Sequence, residues 1–180
     1  MDLTKFFVVM TIYTLMLVAC AHRVEKVDIP EDSNVSAEVR NLETALNDAK
    51  ASHVNLLSPD YFKKAEKSFD EARKDWESKE PDSEVLDEVA YGIAYLDKAE
   101  EIANISRADM LAVLLAREKA IKAQAQVYLP MKLEDIDKDL KDVTEDYERV
   151  NTKIKRASVK DRTMLQNQYL GLEAEAKTKR

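Results

Sequence analysis

The apolar positions of this chain fall into two kinds of pattern. From Phe6 to Ala19 they form an almost unbroken run, interrupted only by Thr11 and Thr14 with Tyr13 between them. After residue 35 they recur at steps of three and four. Val39, Leu42, Leu46, Ala49, His53 and Leu56 make one such seam, which predicts a helix from about Ser36 to Leu57. Ser58 and Pro59 suit the start of a second helix, because proline's missing N–H would be an orphan there anyway. That helix carries Phe62, Ala65, Phe69, Ala72 and Trp76 on one face and stops near Lys79, before Pro81. A third, capped by Asp82 or Ser83, can run as far as Leu129. Pro130 opens a fourth with Leu133, Ile136, Leu140, Val143 and Tyr147 in register. A fifth, from about Ser158, carries Met164, Leu165, Tyr169, Leu170 and Leu172. The expected fold class is all-α: long amphipathic helices in an elongated bundle or helical-repeat array, with no sheet.

The second and fourth helices superpose at an offset of 71 residues. Pro59 falls on Pro130, Phe62 on Leu133, Phe69 on Leu140, Trp76 on Tyr147 and Glu77 on Glu148. A weaker echo sets Tyr95-Leu96 on Tyr169-Leu170 at an offset of 74. Self-similar helical segments imply units that bury their faces against one another. The reading is two related helix-pair units, about 58–127 and 129–180, within a helical domain 36–180. The seams of Phe62, Phe69 and Trp76 are expected to meet those of Val39, Leu46 and His53, since short connections favour antiparallel neighbours.

Composition narrows the function classes. With 2 Gly and 4 Pro, the chain lacks the turn formers of hairpin-rich folds and the glycine loops that cradle phosphates. Its net charge of −7 repels nucleic-acid backbones, so no nucleic-acid partner is expected. One Cys and two His supply neither a disulfide framework nor a zinc site, and no cofactor or metal is expected. His22 reads as a solvated residue of a tether and His53 as packed at a seam edge. No nucleophile has a base beside it, and the chain is not expected to be an enzyme.

The apolar run from Phe6 to Ala19 is too short to span a bilayer core, which takes about 20 residues, and has the length of a secretory signal. It ends in Leu17-Val18-Ala19-Cys20, which resembles the bacterial lipoprotein signal. The resemblance implies a signal peptide 1–19, cleavage between Ala19 and Cys20, and diacylglyceryl and N-acyl lipid on Cys20. Ala21 in place of Asp implies sorting to the outer membrane, with the mature chain on its periplasmic face. Residues 20–35, which include Pro30 and show no sustained period, read as a lipidated tether.

Two further motifs extend the likeness. Leu57-Ser58-Pro59-Asp60-Tyr61-Phe62-Lys63-Lys64-Ala65-Glu66 is similar to the "(A)PxxFxxAxxxLxxA" opening of a helical domain of unknown function. That domain occurs in bacterial envelope lipoproteins, often ahead of an OmpA-like domain. Tyr169-Leu170-Gly171-Leu172-Glu173 resembles the "YxxLE" motif of their linking helices. No OmpA-like segment is found among these residues, so peptidoglycan contact is expected only of a downstream domain and is carried onto no residue here.

Ala108 to Ala116 is apolar nearly all round, and successive helical positions point about 100° apart, so one packed face cannot cover it. Met110, Leu111, Leu114 and Leu115 are therefore a candidate contact surface, within the chain or with a partner. The expected function is that of a lipid-anchored structural or interaction protein of the cell envelope, bracing or recruiting other components, with an envelope protein or a second copy as partner. The alternative is a periplasmic helical carrier of an apolar ligand or unfolded client.

Overall fold

A computed structural model describes residues 24–148 and 159–180, and every regular element among them is helical. The signal segment, with Ala19, Cys20 and His22, lies outside the described residues. The helices are α1 (Val35–Ala51), α2 (Val54–Leu57), α3 (Pro59–Ser78), α4 (Asp82–Lys122), α5 (Ala125–Tyr128), α6 (Pro130–Glu148) and α7 (Val159–Lys179).

The organising element is α4, with 41 residues and a length of about 60 Å. Its first half packs with α1 and α3, and its second half with α6 and α7. The contacts fix the directions. Gly92 meets Leu42, and Arg107 donates to the carbonyl of Ser52, so α1 runs parallel to α4. Arg162 donates to the carbonyl of Asp109, and a Tyr169–Asp137–Arg117 chain lies further on, so α7 also runs parallel to α4. Lys132–Glu175 and Asp139–Gln168 set α6 antiparallel to α7. The result is two three-helix units joined end to end. α4 is the third helix of the first unit and the first helix of the second.

This arrangement extends the repeat beyond what the seams display. At the same offset of 71, α1 falls on the second half of α4: Val39 on Met110, Leu42 on Val113 and Ala49 on Ala120, all six buried. The first half of α4 matches α7 at an offset of 73, where buried Leu96, Ala99 and Ala103 fall on buried Tyr169, Leu172 and Ala176. Burial therefore pairs Tyr169 with Leu96 rather than with Tyr95.

The first helix does not continue unbroken to Leu57. It starts at Val35 with Asn34 as its cap, the Asn34 side chain accepting from the N–H of Ala37 at 3.0 Å. It stops at Ala51, and His53 takes a left-handed conformation at φ 64°. The four residues of α2 follow, and Ser58, extended at φ −146°, leads into Pro59. The same device recurs 71 residues on. Gln124 is left-handed at φ 66°, α5 has four residues, and Leu129 at φ −141° leads into Pro130. Steric pressure from proline on the residue before it keeps Ser58 and Leu129 out of the helical region.

Residues 24–34 are not a free tether. The N–H of Val27 donates to the carbonyl of Ala90 at 3.4 Å, Lys26 pairs with Asp87, and Val24 and Ile29 pack on the core. The exposed edge of α4 gives this segment apolar area to cover, which outweighs its lack of regular structure.

Trp76 is a correction. It was expected in the seam but is 43% exposed, while Tyr147, its counterpart in the repeat, is 4% exposed. The difference is positional. The end of α6 is covered by the first unit, and the end of α3 has no following unit over it.

Candidate interaction surfaces

The two units meet at a polar node that settles both broken helix ends. A helix leaves its last carbonyls and first N–H groups without internal partners. Here the carbonyl of Ser52 receives Arg107 at 2.9 Å, that of Leu56 receives the Thr144 hydroxyl at 2.6 Å, and that of Leu57 receives the Ser106 hydroxyl at 3.1 Å. On the other side, the N–H groups of Asp60 and Tyr61 donate to the Glu148 carboxylate at 2.9 Å each, and the Ser58 hydroxyl donates to it as well. The carboxylate caps α3 from another helix, at the positive end of its dipole. Burial pushes the Glu148 carboxyl above its ordinary value, against these three donors, which act to lower it.

A second, partly buried node ties α4, α6 and α7 together. Arg117 grips Asp137 through two hydrogen bonds of 2.8 and 2.7 Å, and the Tyr169 hydroxyl donates to the same carboxylate at 2.7 Å. Tyr169 is fully buried, and burial, reinforced by Asp137, drives its phenol far above the usual range. In the repeat Arg117 stands where the first unit has Leu46, so the second unit replaces an apolar contact by an ion pair.

The candidate contact residues divide. Met110 and Leu114 are buried within the fold. Leu111 and Leu115 are 55% and 49% exposed. With Ile105, also exposed, and the small residues Ala108 and Ala112, they form an apolar row on the outer side of α4, beside the junction of the units. The internal packing takes one side of the run and leaves the other in solvent.

His53 sits at the α1–α2 joint, half-buried rather than in the core. Burial, and next the Arg117 guanidinium, push its imidazole below the ordinary value. Among the described residues no group of three His, Cys, Asp or Glu is placed to hold a metal ion, and no helix is long and apolar enough to cross a membrane. Surface hollows among the described residues include one lined by Leu133, Glu134, Asp135 and Lys138, one by Glu43, Lys50, Glu66 and Phe69, and one beside His53 lined by Glu100, Arg107 and Glu118.

Pattern reading missed the Glu148 cap and the Arg117–Asp137–Tyr169 node. The pairing of Glu77 with Glu148 in the repeat was the one signal that pointed to the first. Compared with family models, curated proteins and solved structures, the chain matches none.

Proposed function

We propose that this chain is a lipid-anchored interaction protein of the bacterial envelope, held by Cys20 to the periplasmic face of the outer membrane, where it recruits or braces other envelope components. The observation that carries the reading is the exposed row of Ile105, Leu111 and Leu115 on a helix packed along both its halves. A rigid helix presenting large apolar side chains to water is a surface built for contact, since such side chains favour removal from water. The order Leu17-Val18-Ala19-Cys20 supports the anchor. Four residues from Cys20 to Val24 reach at most about 14 Å. Because Val24 already packs on the core, lipid on Cys20 would hold the first unit close to the bilayer.

Two measurements test this. The intact mass of membrane-extracted protein is expected to show a chain beginning at Cys20 with added acyl mass, and an unlipidated mature chain refutes the anchor. A photoreactive residue at position 111 is expected to capture a protein partner in intact cells. Capture should be lost on Leu115→Glu, with the melting temperature unchanged. Capture unaffected by Leu115→Glu, or none at all, refutes the contact row.

A further inference from the structure

The two ends of the molecule repeat the two halves of its own internal joint. In that joint the first unit offers a receiving face: the carbonyls of Leu56 and Leu57 and the N–H groups of Asp60 and Tyr61. The second unit supplies the inserting end of α6, where Thr144 and Glu148 bond to the first unit and the buried Tyr147 between them bonds to Asp109 of α4. The offset of 71 places a second receiving face at the α5–α6 joint, where Val127 stands for Leu56, Tyr128 for Leu57, Met131 for Asp60 and Lys132 for Tyr61. Leu56 is 3% exposed, whereas Val127 is 64% and Met131 77% exposed. Among the described residues, no side chain accepts from the N–H of Met131 or Lys132. The same offset places a second inserting end at the close of α3, where Arg73, Trp76 and Glu77 stand for Thr144, Tyr147 and Glu148.

We propose that copies of this chain associate head to tail, with the Trp76–Glu77 end of one docking on the Val127–Met131 face of the next. Three observations favour a second copy as the occupant. The contact already exists once, filled, inside the chain. The two ends differ in charge: Asp75 to Glu84 holds five acidic side chains and one lysine, while Lys119 to Lys132 holds three lysines and no acid, with Lys132 paired to Glu175 and Lys122 to Glu118. The register also agrees. Lys179 of α7 falls on Ser106 at the offset of 73, and Val35 of α1 falls on Ser106 at the offset of 71. A second copy placed below the first thus sets its α1 in line with α7, as the two halves of α4 are in line. In this contact Glu77 accepts from the N–H groups of Met131 and Lys132, Trp76 covers Val127, and Arg73 donates to an open carbonyl of α5. Because the units stack end to end along one axis, each added copy leaves an open inserting end and an open receiving face, so growth is open-ended.

The proposal is independent of the lipid anchor, and its test uses two variants of the full chain in excess detergent, so that each micelle holds one molecule. Trp76→Ala/Glu77→Lys removes the inserting end, and Val127→Glu/Met131→Glu removes the receiving face. Sedimentation of the parent is expected to show a mass that grows with concentration past the dimer and shrinks in high salt. Each variant alone should remain monomeric and keep the parent's circular dichroism. Mixed together they should form a one-to-one dimer and stop, since one intact inserting end and one intact receiving face remain. A parent monomeric at every concentration overturns the proposal, and in that case an envelope partner lost on Val127→Glu/Met131→Glu would be the occupant. A parent that stops at the dimer, or a mixture of variants that stays monomeric, overturns it too.

Discussion

Glu148, the last residue of α6, accepts a hydrogen bond from the hydroxyl of Ser58, which lies 90 residues away in sequence and directly before α3. The same carboxylate takes the N–H groups of Asp60 and Tyr61. The start of one unit is therefore capped by the end of the other. Removing the carboxylate strands three donors in a region where Ser58 is fully buried and Tyr61 nearly so. Glu148→Ala is expected to cost about 2–3 kcal/mol, the range for a lost cap and a lost charged acceptor. Glu148→Gln keeps one acceptor oxygen and should cost about half as much. Denaturant unfolding of the three proteins checks the order.

Tyr169 gives a pH-dependent prediction. Its phenol is driven up by burial and by Asp137, so the folded state holds the proton more tightly than the unfolded chain. The neutral phenol's contribution is then complete below the ordinary tyrosine value near 10 and is lost progressively as pH rises above it. At pH 8, Tyr169→Phe should cost about 1–2 kcal/mol for the lost hydrogen bond to Asp137. At pH 11 the gap between parent and variant should shrink. Unfolding midpoints at the two pH values test this, and a gap that widens with pH refutes it.

The two glycines should respond in opposite ways to alanine. A Cβ at Gly171 meets nothing within 4 Å, and the residue lies inside α7. Gly171→Ala should stabilise by about 1 kcal/mol through helix propensity. A Cβ at Gly92 would stand 2.6 Å from Cδ2 of Leu42, itself buried. Overpacking there should outweigh the same propensity gain and leave Gly92→Ala destabilised by about 1–2 kcal/mol. The second unit has Leu165 at the Gly92 position and Val113 at the Leu42 position, which distributes the volume differently across the same layer. Thermal melts of the two variants settle the signs.

Much of this fold was legible because long helices advertise their buried faces at steps of three and four. Leu42, Leu46, Phe62, Phe69, Leu140 and Tyr147 are all buried as their seams imply. The joints were harder to read. His53 and Gln124 adopt positive φ without being glycine, and the side chains that donate to the carbonyls around His53, namely Arg107, Ser106 and Thr144, come from distant segments. A joint stabilised by long-range hydrogen bonds leaves no local composition signal. What sequence did hold was the repeated proline at 59 and 130, which marks where each joint ends. The division of Ala108–Ala116 into buried Met110 and Leu114 and exposed Leu111 and Leu115 was likewise not readable, because a run that is apolar all round does not say which side the neighbours occupy.

Trp76 and Tyr147 make the sharpest stability comparison, because they hold one repeat position in two environments. Tyr147 is 4% exposed, and its hydroxyl donates to Asp109 at 2.9 Å. Truncating it opens a cavity between α6 and α4 and removes one of the donors to Asp109, which keeps its ion pair with Arg162, so Tyr147→Ala should cost about 3–5 kcal/mol, most of it from the cavity. Trp76 is the larger ring, and size alone would make it the more damaging loss. Yet 43% of it already faces water, so less area is forfeited and its space can refill with solvent. Trp76→Ala is expected to cost about 1 kcal/mol or less. Unfolding in denaturant at a concentration low enough to keep the chain monomeric gives both values without any contribution from contacts between copies. A Trp76 loss equal to or greater than the Tyr147 loss would mean that the end of α3 is packed as tightly as the end of α6, and the exposed inserting end would not exist.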